Sequence, residues 1–173
     1  MCELSRGWAI GKMSGAAGGL IVDFMHLFTS PDGRIGRAAY WIGWLIILAV
    51  EVALRLVLGV PFATTPADTL AVRGMSFAVD TVLLYPSIMV MVKRLHDRGY
   101  SGWAIGWLIV PYSVIMITNL FGISGDPEQM GVVETLLLFA TTIIMLAFMI
   151  ELGFRRGSAG DNEFGPAPHK LGV

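Results

Sequence analysis

Residues 39–60 read AYWIGWLIILAVEVALRLVLGV. This stretch decides the fold. It opens on aromatics, stays apolar almost to its end, and carries only Glu51 and Arg55 as charges. A hydrocarbon core about 30 Å thick takes ~20 residues of helix at ~1.5 Å each. Inside that core an unpaired backbone amide costs several kcal/mol, so the segment must be helical. Three more stretches of the same kind follow, at 75–92, 102–121 and 132–154. The expected fold is therefore all-α, a four-span transmembrane helical bundle.

Composition agrees. The chain has 173 residues, 55% hydrophobic and 14% charged, with mean hydropathy +0.69. A soluble domain carries about 25% charged residues. The bundle accounts for residues 23–155, preceded by a flexible extension at 1–22 and followed by a Gly/Pro-rich tail at 156–173. Residues 1–20 are too broken by Lys12 and by glycines to form a signal-peptide core. Val22 is a candidate alternative start. Asp23–Ser30 reads as a short amphipathic helix with Phe24, Leu27 and Phe28 on one face, ended by a turn at Pro31-Asp32-Gly33.

The basic residues alternate across the spans. Arg6, Lys12, Arg34 and Arg37 precede the first span; Lys93, Arg94 and Arg98 join the second to the third; Arg155, Arg156 and Lys170 follow the fourth. The other side holds Arg73 alone, with Asp126 and Glu128. The positive-inside rule then puts both termini and the middle loop in the cytoplasm. Trp41, Trp44, Trp103 and Trp107 fall at the same ends of their spans, where indoles anchor in the headgroup layer. The single cysteine, Cys2, allows no internal disulfide, and His26, His96 and His169 are too dispersed for a metal centre. No cofactor, metal or nucleic-acid partner is expected.

Two constellations stand out. Lys93-Arg94-Leu95-His96-Asp97-Arg98-Gly99-Tyr100-Ser101-Gly102-Trp103 reads as a compact cytoplasmic loop. Ser101 caps the third span, whose free amides, with Arg94, Arg98 and Lys93, suit a phosphate-bearing ligand or an anionic lipid headgroup. Arg34 and Arg37, three apart, are placed to join that basic cluster. Asp97 is also read as a partner for Arg94 or Arg98. A membrane enzyme built on His96 and Asp97 is a further alternative, which needs a nucleophile within about 3 Å. The second constellation is intramembrane. Counting along the hairpin puts Arg55 and Asp80 at equal depth, so they are expected to pair, with Glu51 one turn away and Asn119 and Glu134 in the same half. A small transporter or channel component using Glu51, Arg55 and Asp80 would show a polar cavity there, and so slim a bundle would act as a homo-oligomer. The pentapeptide IGWLI occurs at 42–46 and again at 105–109, which hints at two related hairpins.

With these residues in view, the chain resembles the YhaH-like bacterial inner-membrane proteins, grouped as domain of unknown function 805. Gly33-Arg34…Arg37…Tyr40-Trp41 resembles the family's opening motif. Arg94–Trp103 resembles its central R-L-H-D-x-G-x-S-G-W, and Gly160–Pro168 resembles its closing G-x-N-x-[FY]-G-x-x-P. The resemblance implies a small multi-pass protein of the bacterial inner (cytoplasmic) membrane with no assigned activity, and it supplies no catalytic residues. Glu163 stands where relatives often carry a basic residue, which suggests a pairing of Glu163 with the basic loop.

Overall fold

The computed structural model describes residues 24–123 and 131–168. The expected extension at 1–22 and most of the acidic loop at 122–131 lie outside the described residues. Among the described residues four helices are long and apolar enough to cross a membrane. They are α1 (Arg37–Leu58), α2 (Leu70–Asp97), α3 (Gly106–Phe121) and α4 (Val132–Gly153), with a 3-10 turn, Gly102–Ile105, leading into α3. Among the described residues there is no strand beyond one isolated bridge, Asn162 to Gly165. Each helix packs on the next in sequence, and α4 closes back onto α1.

The second helix differs most from its expected bounds. It begins at Leu70, where the Thr69 hydroxyl accepts from the Val72 amide at 3.4 Å, and it carries Gly74 in its interior. It also runs on through Lys93–Asp97, residues expected in a loop. The stop comes at Gly99, whose φ of +75° is the left-handed cap conformation. The Gly99 amide donates to His96 O at 3.0 Å and the Tyr100 amide to Leu95 O at 2.9 Å, which closes the helix end. The basic segment is thus the last turn of a helix plus a four-residue connection. Pro86 and Pro111 both lie inside helices, each removing one backbone donor.

Packing is uneven along the bundle axis. The buried cluster gathers Leu27, Ile35, Ala39, Tyr40, Val90, Val92, Leu95, Ile105 and Leu152, all at the end where α1 begins and α4 finishes, the motif end. The short helix at 24–29 belongs to it: Leu27 is buried there, and the Tyr85 hydroxyl donates to Thr29 O at 2.8 Å. Toward the opposite end the buried side chains, among them Arg55, Val60, Ser76, Val79 and Met116, do not join that cluster, and along the whole of α4 Val133, Leu136, Phe139, Ile143, Leu146 and Ile150 face outward. An apolar face of that size is stable against lipid, not water.

Candidate functional site

Three sequence motifs meet at the motif end. Asp97 is their centre, 2% exposed. Its Oδ1 accepts from Arg34 Nη2 at 3.0 Å and Nε at 3.3 Å, and its Oδ2 accepts from Arg94 Nη1. Arg94, 1% exposed, also donates from Nε to Leu152 O at 2.7 Å and from Nη2 to Arg155 O at 2.6 Å. Arg34 donates onward to Gly160 O at 2.8 Å, Gly165 O at 3.2 Å and Ser158 O at 3.0 Å. Burying three charges is tolerated because nearly every donor finds an acceptor. The Arg34 and Arg94 donors assigned by sequence to an outside anion are therefore spent on the chain's own carboxylate and carbonyls, and the buried Lys93 donates to His26 O.

The tail completes this knot. Gly/Pro-rich as it is, it docks: the Ser158 amide donates to Asp97 O at 2.7 Å, and Asn162 Nδ2 to His96 O at 2.9 Å. The His96 ring stacks on Phe164 with centroids 4.0 Å apart and planes 1° apart. Gly157 passes so close that an added Cβ would lie 2.1 Å from Asp97 Oδ2. Sequence spacing offers Asp97 either Arg94 or Arg98; it holds Arg94 and Arg34, because the helix carries Arg98 round to α4. There Arg98 Nη2 meets Glu151 Oε1 at 2.8 Å, and Arg155 meets Glu151 Oε2 at 2.6 Å. The hydrogen bond from Arg155 to the Glu151 carboxylate holds the Arg155 guanidinium above its usual range. Arg37 donates to Phe154 O at 3.3 Å. No salt bridge joins Glu163 to the basic helix end among the described residues. Ser101 caps as expected, accepting from the Trp103 amide at 3.4 Å. Among the described residues no hydroxyl or thiol hydrogen-bonds to the His96 ring, whose buried Nδ1 has no partner.

The second constellation forms as the hairpin count requires. Arg55, 3% exposed and in the last turn of α1, pairs with Asp80 of α2. Its Nε donates to Glu51 Oε1 at 3.1 Å, and its Nη1 to Pro61 O at 2.7 Å and Ser76 Oγ at 2.9 Å. The guanidinium also faces the Phe62 ring, 5.3 Å from its centroid. Two cavities flank this group. The outer one, about 310 Å³, is lined by Glu51, Arg55, Asp80, Arg73, Asn119 and Glu134 among others. The inner one, about 180 Å³, extends toward the motif end between Ile47, Leu84, Ser87 and Met91. Glu51, Asp80 and Tyr112 border both. Sequence reasoning missed Tyr112, Arg73 and Ser76, whose types and positions are ordinary in and beside apolar spans; it also missed Ser158 and Asn162 as the residues that seat the tail.

Residues 28–166 match the family described as "Protein of unknown function (DUF805)". The chain belongs to this family. It is 32% identical over 141 residues to "Uncharacterized protein YiiR" of Escherichia coli strain K12, covering 79% of this chain and 84% of that protein. The Escherichia coli O157:H7 protein of the same name matches to the same extent. No solved structure matches. The region matched to DUF805 contains every segment of the knot, from Arg34 to Gly165.

Proposed function

We propose that this protein is a multi-pass bacterial inner-membrane component that admits a small solute to the cavity around Glu51, Arg55 and Asp80, with its motif end in the cytoplasm. The observation that carries this reading is that the two carboxylates of the ion-paired triad, Glu51 and Asp80, line open volume on both sides. A purely structural clamp would be packed over, as Asp97 and Arg94 are at the other end. Charges in a membrane helix are costly, about 2.5–3.5 kcal/mol each on insertion scales, and cluster where water or solute passes. The tight motif end and the hollow opposite half divide the labour: one end holds the helices together, and the other leaves room.

Cysteine accessibility tests it. In a Cys2→Ser background, Thr64→Cys on the outer cavity and Ser87→Cys on the inner one should react with a small, membrane-impermeant thiol reagent in the folded protein. Failure of both to react would sink the reading. A fluorescent-protein fusion at the C-terminus should fold and fluoresce if the motif end is cytoplasmic.

A second reading concerns anionic lipid. Arg37, Arg155 and Arg156 surround the motif end, Arg37 reaching Phe154 O from the rim. Each basic residue near an anionic surface contributes about 1 kcal/mol. On this reading a lipid headgroup sits at the rim, and the buried Arg34, Arg94 and Asp97 are its scaffold. Charge reversal at Arg37 and Arg156 should lower co-purified anionic lipid without unfolding the bundle.

A further inference from the structure

The inner cavity is an apolar chamber with one charged wall. Its sides are Trp44, Ile47, Leu48, Leu83, Ile88 and Met91, and its polar boundary toward the outer cavity is Glu51, Asp80 and Tyr112. Arg55 holds one oxygen of each carboxylate. The second oxygens, Oε2 of Glu51 and Oδ2 of Asp80, accept no hydrogen bond from the described residues, and neither is sealed in: the side chains are 30% and 22% exposed.

The charge balance at this boundary is two carboxylates to one guanidinium. Arg55 has already directed its Nε and both Nη groups to Glu51, Asp80, Pro61 O and Ser76 Oγ. An incoming anion would find no open fork there and would face two carboxylates. An incoming cation would find two open oxygens in surroundings that weaken competition from water. Tyr112 and Trp44 add aromatic faces, which attract desolvated cations. The chamber also sets a size. An apolar cavity of about 150 Å³ admits a benzene-sized body, and this one is about 180 Å³.

We propose that the chamber binds a monovalent organic ammonium carrying an apolar body of about one ring, its head against Glu51 and Asp80 and its body among Ile47, Leu83 and Ile88. This rests on the solute-binding reading above and names the class of solute.

The probe is radiolabelled benzyltrimethylammonium, measured by equilibrium binding to the full chain in detergent. Its neutral isostere, neopentylbenzene, and the anion benzylphosphonate serve as competitors. Saturable binding is expected, with neither competitor displacing it. Glu51→Gln keeps an acceptor for Arg55 Nε and so preserves the pair with Asp80; it should weaken binding at least tenfold. Leu84→Trp, which fills the chamber, should abolish it. Where a variant fails to fold, protection of Ser87→Cys (in Cys2→Ser) from maleimide by the cation gives an independent readout, and slowing of labelling at least fivefold is expected. Displacement by either competitor, unchanged affinity in Glu51→Gln, or absent binding while Ser87→Cys stays reactive would overturn the cation assignment and leave the cavity reading standing. Inert Ser87→Cys and Thr64→Cys would overturn both.

Discussion

Arg34 and Asp97 lie 63 residues apart in the chain and meet side chain to side chain, 3.0 Å between Nη2 and Oδ1, with neither more than 3% exposed. The pair joins the segment before α1 to the end of α2. Through Ser158, Gly160 and Gly165 it also seizes the tail that follows α4. Three distant segments are thus tied by one carboxylate.

Removing that carboxylate leaves Arg34 and Arg94 buried without their shared counter-charge. Losing one partner of a buried ionic network costs about 3–5 kcal/mol. Asp97→Asn, similar in shape but uncharged, is expected to lower stability by that order in detergent, read from the unfolding midpoint. Arg34→Ala should cost less, because Asp97 keeps Arg94, but it should expose the tail to protease near 158–165. An Asp97→Asn protein as stable as the parent would show that the knot is not the fastening point.

Gly157 tests the tail by shape alone. A Cβ there would overlap the whole Asp97 carboxylate, 2.1 Å from Oδ2 and 2.6 Å from Cγ. Gly157→Ala must displace either the tail or Asp97, and a loss of about 1–3 kcal/mol is expected, as for overpacked interiors. Limited proteolysis of the tail gives the readout. A protected tail in Gly157→Ala would mean that this approach is looser than those distances imply.

The four spans were legible because lipid imposes length and apolarity residue by residue. The Arg55–Asp80 pair was legible too, since two opposite charges at equal depth in a membrane have few other partners. The motif end was not. Lys93–Asp97 reads as a loop by charge, yet lysine, arginine and leucine are good helix formers, and the stop is set by the backbone at Gly99. Nor do Asn162 and Ser158 announce themselves, because their work is a hydrogen bond to a backbone oxygen that exists only once α2 has extended that far. Only the resemblance of the closing motif singles out that tail. The cavities follow from gaps between helices, which no run of residues encodes.

The repeated IGWLI provides a controlled comparison. Gly43 in the first copy faces Val90, and a Cβ added there would lie only 3.2 and 3.3 Å from its methyls; Gly106 in the second copy has nothing within 4 Å. Gly43→Val should therefore lose about 1–3 kcal/mol by overpacking α1 against α2. The same change in the second copy, Gly106→Val, meets open space and should stay within about 0.5 kcal/mol of neutral. Thermal midpoints of the two variants decide it. Equal responses would restore a true structural duplication of the two hairpins.

The loop between α1 and α2 carries a small acid-sensitive lock. The Thr65 amide and hydroxyl donate to Asp68 Oδ2 at 2.6 and 3.0 Å, and the amide bond first, then the hydroxyl, hold the Asp68 carboxyl below its usual range. A depressed carboxylate contributes order that is present above its unfolded value, about 3.9, and lost as pH falls through its folded one. The Thr65 amide shift should titrate with a midpoint below about 3.9, and Asp68→Asn should abolish that titration. A midpoint above it would reverse the sign.

At the opposite end of the bundle from the knot, Arg55 has two carboxylate partners, which makes the cost of deletion unequal. Asp80→Asn leaves Glu51 in place at 3.1 Å, so the guanidinium stays compensated and the loss should be modest, about 1 kcal/mol, the scale of a hydrogen bond weakened from charged to neutral. Arg55→Leu strands two carboxylates facing each other's charge across a cavity and should cost about 3–5 kcal/mol, the range for a broken buried pair. Adding Asp80→Leu to Arg55→Leu should recover much of that loss, since an apolar pair of similar volume is tolerated where a lone charge is not. The double-mutant cycle, completed by the Asp80→Leu single variant and read from unfolding midpoints in one detergent, isolates the coupling. Additive losses would mean that Arg55 and Asp80 are neighbours without being partners, and the solute-binding reading would lose the charged wall on which it is built.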